Sequence, residues 1–256
     1  MVKISDIYKF LCEIAPLELQ MSFDNSGFQI GKMNGEAKKV LLALDVTDYV
    51  VDEAIHLGAE LIVSHHPLIF HALKSITDQS VEGRRVLKLI ENGISVISMH
   101  TNLDVASGGV NDVLMQTLEV EPEAALDSAG CGRIGKLEAP LELEDFLNIC
   151  RTKLKTNVIR YYNAGKKVEK LAVMGGAGGD CLQDVFERGC DTYVTSDIKY
   201  HQFLLAAEMG INLIDADHFC TENPVIYELE KKITESFPDI DVYVSRTHGQ
   251  IIKGLS

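Results

Sequence analysis

Residues 40–66, VLLALDVTDYVVDEAIHLGAELIVSHH, lie without a gap on residues 171–197, LAVMGGAGGDCLQDVFERGCDTYVTSD, once Gly58 is placed on Gly189. Each stretch reads as an apolar run, a turn, a helical pattern closed by glycine, and a second apolar run ending in polar residues. The next run recurs as well: NGISVISMHTNLD, residues 92–104, answers MGINLIDADHFCTE, residues 209–222, after a longer connection in the first half. Short runs rich in Val and Ile that alternate with helical patterns are the mark of βαβ units around a mixed or mostly parallel sheet. The expected fold class is therefore α/β, with two related lobes carrying mixed sheets, residues 1–128 and 129–256.

Outside the repeat, residues 133–137 and 158–162 read as strands flanking a helix at 143–154, and 241–245 as a further strand. At the start of the chain Ile4, Ile7, Tyr8, Leu11 and Ile14 fall at helical spacing, while Asp6, Lys9 and Glu13 interrupt any apolar run of signal-peptide type. An amphipathic helix is expected there. No stretch approaches the ~20 apolar residues needed to cross a bilayer.

The 256 residues suffice to bury a sizeable core without covalent staples. Six cysteines, Cys12, Cys131, Cys150, Cys181, Cys190 and Cys220, form no C-x-x-C pair, so neither a thiolate zinc site nor a secreted disulfide framework is indicated, and a cytoplasmic location is expected. The formal charge of −14 repels phosphate backbones at long range, which makes nucleic acid a poor partner.

The polar residues of both halves gather just past the carboxyl ends of the strands, where open α/β sheets place their sites. In ELIVSHHPLIF, Pro67 ends the strand and leaves His65 and His66 at its mouth. Neighbouring side chains of an extended segment point to opposite faces, so two adjacent cations are expected to take one imidazole each. In ISVISMHTNLD the strand ends at His100 and Asp104 follows in the loop, where a carboxylate can bridge two cations. In DADHFCTE, His218 and Glu222 are one helical turn apart and share a face, a workable half-site for Zn, Mn, Fe, Ni or Co.

The strings SHHPLIF, HTNLD followed by GGVND, SDIKYH and DADHFCTE resemble, in order and spacing, the Nif-three-like family, also called GTP cyclohydrolase 1 type 2 homologues. The resemblance covers nearly the whole chain. It implies two α/β lobes facing each other across a dinuclear metal centre, with ligands at His65, His66, Asp104, His218 and Glu222, and a ring-shaped homohexamer. Phe23 stands where a Trp is usual and Ser196 where a Gly is usual, which touches no ligand. The chain resembles the short form, without the domain that longer members insert.

Other features carry less. VMGGAGGD lacks the ending of a Walker loop and the spacing of a dinucleotide fingerprint, so its glycines are read as a tight turn. Asp197, Lys199 and His201 of SDIKYH are read as supports for the ligands, and Asp24 and Asn25 as turn formers. His100 is the candidate catalytic residue, as a proton shuttle or a group that orients a ligand. No nucleophile elbow is present.

Two readings follow. The first is a hydrolase using two divalent ions on a nucleotide-like, phosphoester or cyclic amide substrate, GTP cyclohydrolase-type by resemblance; the lack of a Lys/Arg cradle counts against a triphosphate. The second is a non-catalytic metal-binding scaffold or interaction protein. Open coordination positions favour the first and a site closed by protein ligands the second.

Overall fold

In the computed structural model, which describes residues 1–254, Val40 stands opposite Leu61 in one sheet and Leu171 opposite Thr192 in another, both in parallel ladders. These pairs are equivalent under the alignment of Gly58 with Gly189, so the internal repeat holds at the level of strand register. The described residues divide into two compact units, 1–107 with 226–249 and 108–225 with 250–254.

The sheet of the first unit runs in the order Asp241–Val244, Lys39–Ala43, Leu61–Ser64, Ser95–Ser98, Gly27–Ile30. The first four strands are parallel and Gly27–Ile30 is antiparallel at the edge. Leu61–Ser64 and Ser95–Ser98 are buried throughout, which is why they read as continuous runs rather than alternating ones. Helix Asp48–Leu57 packs Val50, Val51 and Ala54 against Leu41 and Ile62. Thr47 caps it by accepting from the amide of Val50, and Gly58 ends it at φ 65, a left-handed conformation natural to glycine. Residues 226–249 return to this unit because Asp241–Val244 zips onto Lys39–Leu42, a long-range pairing that periodicity does not assign.

The second unit has the order Ala124–Ala125, Arg133–Leu141, Val168–Ala177, Thr192–Ser196, Asn212–Asp215, Arg160–Tyr162. Three central strands are parallel, and Arg160–Tyr162 is antiparallel at one edge, as Gly27–Ile30 is in the first unit. Its core gathers Leu171, Val173, Val194 and Ile214 with Phe146 and Cys150 of helix Leu143–Lys153. The sequence-expected strands are thus all present, and the fold is mixed α/β.

Two local expectations are corrected. The glycines after Met174 do not form a tight turn: the strand continues to Ala177 through an irregularity between Val173 and Ala177, with Gly176 at φ 65, a bulge that needs a residue tolerant of positive φ. Asp104 lies not in a loop but in a short helix, Thr101–Val105. When Gly93 is laid on Gly210, this helix coincides with His218–Glu222 of the second unit. Among the described residues no helix is long and apolar enough to cross a membrane.

Candidate metal centre

In the first unit, strand Leu61–Ser64 delivers His65 and His66 at its carboxyl end. The His65 ring is fully buried, with Nδ1 2.8 Å from the carbonyl oxygen of Met99. A carbonyl only accepts, so Nδ1 carries the proton and the lone pair of Nε2 faces away from it. His66 Nδ1 lies 2.8 Å from Asp45 Oδ1, and His100 Nδ1 lies 2.7 Å from Asp24 Oδ1. One nitrogen from each of the three rings falls within 4.8 Å of the other two. Asp104 places Oδ1 3.6 Å from His65 Nε2.

The expectation that His65 and His66 point to opposite faces does not hold. Their ring centroids are 4.9 Å apart. The strand has already ended at Ser64, whose hydroxyl donates to the carbonyl of His66 at 2.9 Å, so the backbone bends there and the alternation of an extended chain no longer applies.

Asp24 does more than form a turn. It accepts from His100, from the amide of Thr101 at 3.0 Å, from the Thr101 hydroxyl at 2.5 Å and from the Ser26 hydroxyl at 2.7 Å. Burial alone would raise its pKa, but these donors outweigh burial and hold the carboxyl far below the usual carboxylate range. Asp24 is therefore a fixed anion that orients His100.

In the second unit, helix His218–Glu222 starts at Asp217, which is held at φ 77 and accepts from the amide of Cys220. His218 Nδ1 lies 2.8 Å from Asp197 Oδ2, and its Nε2 lies 3.1 Å from Glu222 Oε2. Asp197 is itself at φ 54, a costly conformation for a non-glycine residue and one that concentrates at functional positions. Glu222 is buried. Gly176 makes room for it: a Cβ there would stand 2.2 Å from Glu222 Oε1 and 3.2 Å from His218 Nε2. The bulge that places Gly176 is tied down by Asn111 Oδ1, which accepts from the amide of Gly175, and by Thr221 Oγ1, which accepts from the amide of Gly176. The Ser196 hydroxyl donates to the Gly176 carbonyl at 2.5 Å, so this substitution fixes the loop instead of disturbing it.

One pattern unites the four imidazoles: in each, Nδ1 is engaged by a carbonyl or carboxylate, leaving Nε2 to present a lone pair. That is the usual arrangement around metal-ligating histidine. In His218 and His65 the presented nitrogen faces a carboxylate oxygen at 3.1 and 3.6 Å. Two lone-pair donors at such a distance repel, and either a proton or a metal cation between them relieves this; roughly 3 Å also separates neighbouring ligands around an ion with bonds of about 2.1 Å. The donor set therefore fits divalent transition ions.

The sequence reading missed Asp45 and Asn111 and undervalued Asp24. Asp45 follows the strand Lys39–Ala43 almost directly, and the rule for strand ends would have flagged it. Asp24 carries no local signal, since its imidazole partner is 76 residues away. Lys199 and His201 are exposed, and the hydrogen bond to His218 comes from Asp197.

A family model for Duf34/NIF3 (NGG1p interacting factor 3) matches residues 2–250. A Clostridium perfringens protein named GTP cyclohydrolase 1 type 2 homolog is 35% identical over 253 residues, covering 96% of this chain and 97% of its own. The crystal structure of Staphylococcus aureus hypothetical protein SA1388 superposes with a TM-score of 0.92 at 29% identity, over 99% of each chain. Reduced HcgD from Methanocaldococcus jannaschii gives a TM-score of 0.83 at 30% identity, over 95% of this chain and 97% of that one.

Proposed function

Since this chain belongs to the Duf34/NIF3 family, we propose that its donors hold a pair of divalent ions and that the protein is a metal-dependent hydrolase. The observation that carries this reading is the shared grip on Nδ1 of four imidazoles, two of which turn Nε2 toward a carboxylate.

In this reading His65, His66 and Asp104 of the first unit and His218 and Glu222 of the second would be the ligands. Bound divalent ions would polarise a substrate oxygen and lower the pKa of a water toward ~7. The remaining chemistry belongs to the chain. Asp45 and Asp197 hold the tautomers of His66 and His218. Asp24, fixed as an anion, keeps the Nδ1 proton of His100 in place, so His100 offers Nε2 to accept a proton from a reacting group and return it to the leaving group. The name borne by the relatives points to a nucleotide-like substrate, with phosphoesters and cyclic amides as neighbouring classes. A homohexameric assembly and a cytoplasmic location belong to the same reading.

The test is metal analysis of the purified chain followed by a hydrolase screen over nucleotides, phosphoesters and cyclic amides, with Asp104→Ala as control. Two equivalents of metal per chain and activity that vanishes in the variant are expected. Activity equal in both proteins overturns the mechanism, and metal binding without activity against any class leaves the scaffold reading in its place.

A further inference from the structure

Two aromatic rings stand open beside the histidine cluster of the first unit. Phe23 is 65% exposed and Phe70 is 38% exposed, and their centroids lie 6.4 Å apart. Phe70 meets the His100 ring nearly edge-on at 6.1 Å and packs on His71 at 4.7 Å. Two neighbouring apolar rings in water, next to a group of polar donors, offer a surface on which a flat apolar group can sit.

The two segments that carry the rings are tied together. Asn25 Nδ2 donates to the carbonyl of Ile69 at 2.5 Å, the amide of Ile69 donates to Gln29 Oε1 at 3.0 Å, and Gln29 Nε2 donates back to the carbonyl of Asn25 at 2.6 Å. These three bonds lash the segment carrying Phe23 to the segment carrying Phe70. Asp24, next to Phe23, is fixed to His100 and Thr101. The spacing between the backbone segments that carry the aromatic pair and the His100 ring is therefore set in advance, which lowers the ordering cost of binding.

We propose that Phe23 and Phe70, inclined to each other at 59°, form an angled ledge in which a planar aromatic ring of the substrate stacks on the face of one and meets the other obliquely, which brings the bond to be broken next to His100. This rests on the metal-dependent reading above and selects within it. A ring-bearing substrate gains the face of the ledge, whereas a ring-less phosphoester or aliphatic cyclic amide gains nothing from it. Recognition through the face of a ring tolerates different ring types, because every such ring has a π-face. The ledge therefore selects for a ring and not for one particular base.

The experiment compares guanosine 5′-monophosphate with ribose 5-phosphate as probes, by calorimetric titration of the full chain loaded with Mn²⁺. The ring-bearing probe is expected to bind about tenfold tighter or more. Phe23→Ala and Phe70→Ala should each remove most of that preference, Phe23→Leu should behave like Phe23→Ala despite its bulk, and Phe23→Trp should enlarge the preference. Repeating the comparison with guanosine and ribose in metal-free protein separates the two readings. A ring preference in a chain that takes up no Mn²⁺ refutes the metal-dependent reading alone, while metal uptake with no ring preference refutes the ledge alone. Equal binding of the two probes overturns the ledge, as does a preference untouched by the Phe variants. A fall in assembly size for Phe23→Asp, with the ring preference unaltered, also overturns it by assigning the rings to contact with a second copy.

Discussion

The two units share a skeleton and differ in what they hang on it. His66 stands at the end of strand Leu61–Ser64, and its counterpart in the second unit is Asp197; Thr101 opens the short helix of the first unit, and its counterpart is His218. In the first unit the strand end offers the imidazole and the helix start helps to hold Asp24. In the second the helix start offers the imidazole and the strand end, Asp197, holds it. Presenting and supporting roles have thus changed places between equivalent positions. The lesson is that the repeat determines where polar groups can converge, while the individual side chain decides whether it presents a lone pair or steadies one.

The comparison breaks most sharply at the proposed ligands. Asp104→Ala should abolish tight metal binding and lower hydrolysis by more than the about 100-fold that an outer partner is worth. Elemental analysis after dialysis reads the first and turnover the second. Retention of full metal content would remove Asp104 from the site.

If each unit holds its ligand imidazole through a carboxylate, Asp45→Asn and Asp197→Asn should weaken metal binding to similar extents, each by about 10- to 100-fold, through loss of the charge that fixes the tautomers of His66 and His218. Competition with a chromogenic chelator measures this. A loss confined to one of the two variants would make the roles unequal.

Gly176→Ala sharpens the contrast further, since the added methyl falls on Glu222 and the strained φ resists any side chain. Reduced metal affinity is expected together with a Tm lowered by a few degrees. Gly58→Ala and Gly189→Ala probe the shared skeleton instead. Both glycines sit at φ near 65 with nothing within 4 Å of an added Cβ, so each substitution should cost about 1 kcal/mol and leave metal binding alone. Unequal costs in denaturant melts would show that the helix ends are not equivalent.

The smallest effect concerns the segment 245–247, which is specific to the first unit. Burial raises the pKa of Glu53, but hydrogen bonds from Ser245, Arg246 and Thr247 outweigh it and leave the carboxyl below its ordinary value of 4.5. A carboxyl depressed in the folded state contributes stability that is fully present above 4.5 and is lost as pH falls through the folded value. Glu53→Gln should therefore lower Tm modestly at neutral pH, with the difference from the natural chain closing as pH falls, so that the acid limb of a Tm-against-pH curve is flatter. An acid limb as steep as that of the natural chain would deny Glu53 this role.

Much of the fold was legible before any coordinates, for a physical reason. Strands buried on both faces must be apolar throughout, and helix ends in left-handed conformations favour glycine, so runs such as 61–64 and glycines such as Gly58 and Gly189 announce themselves. His65, His66, Asp104, His218 and Glu222 were legible as candidates because strand ends and helical spacing are local properties. The helix Thr101–Val105 and the bulge at Gly176 were not, since each is settled by contacts with segments that a local pattern does not see.

Sequence by itself determined the α/β class, the repeat and the polar residues available at the strand ends, because hydrophobic period and turn chemistry act over a few neighbours. Only the tertiary structure decided which nitrogen each imidazole presents, that Asp24 grips His100 across 76 positions, and that residues 226–249 rejoin the first unit. Those outcomes depend on hydrogen bonds and ladders between distant segments, whose partners are chosen when the chain closes on itself and not before.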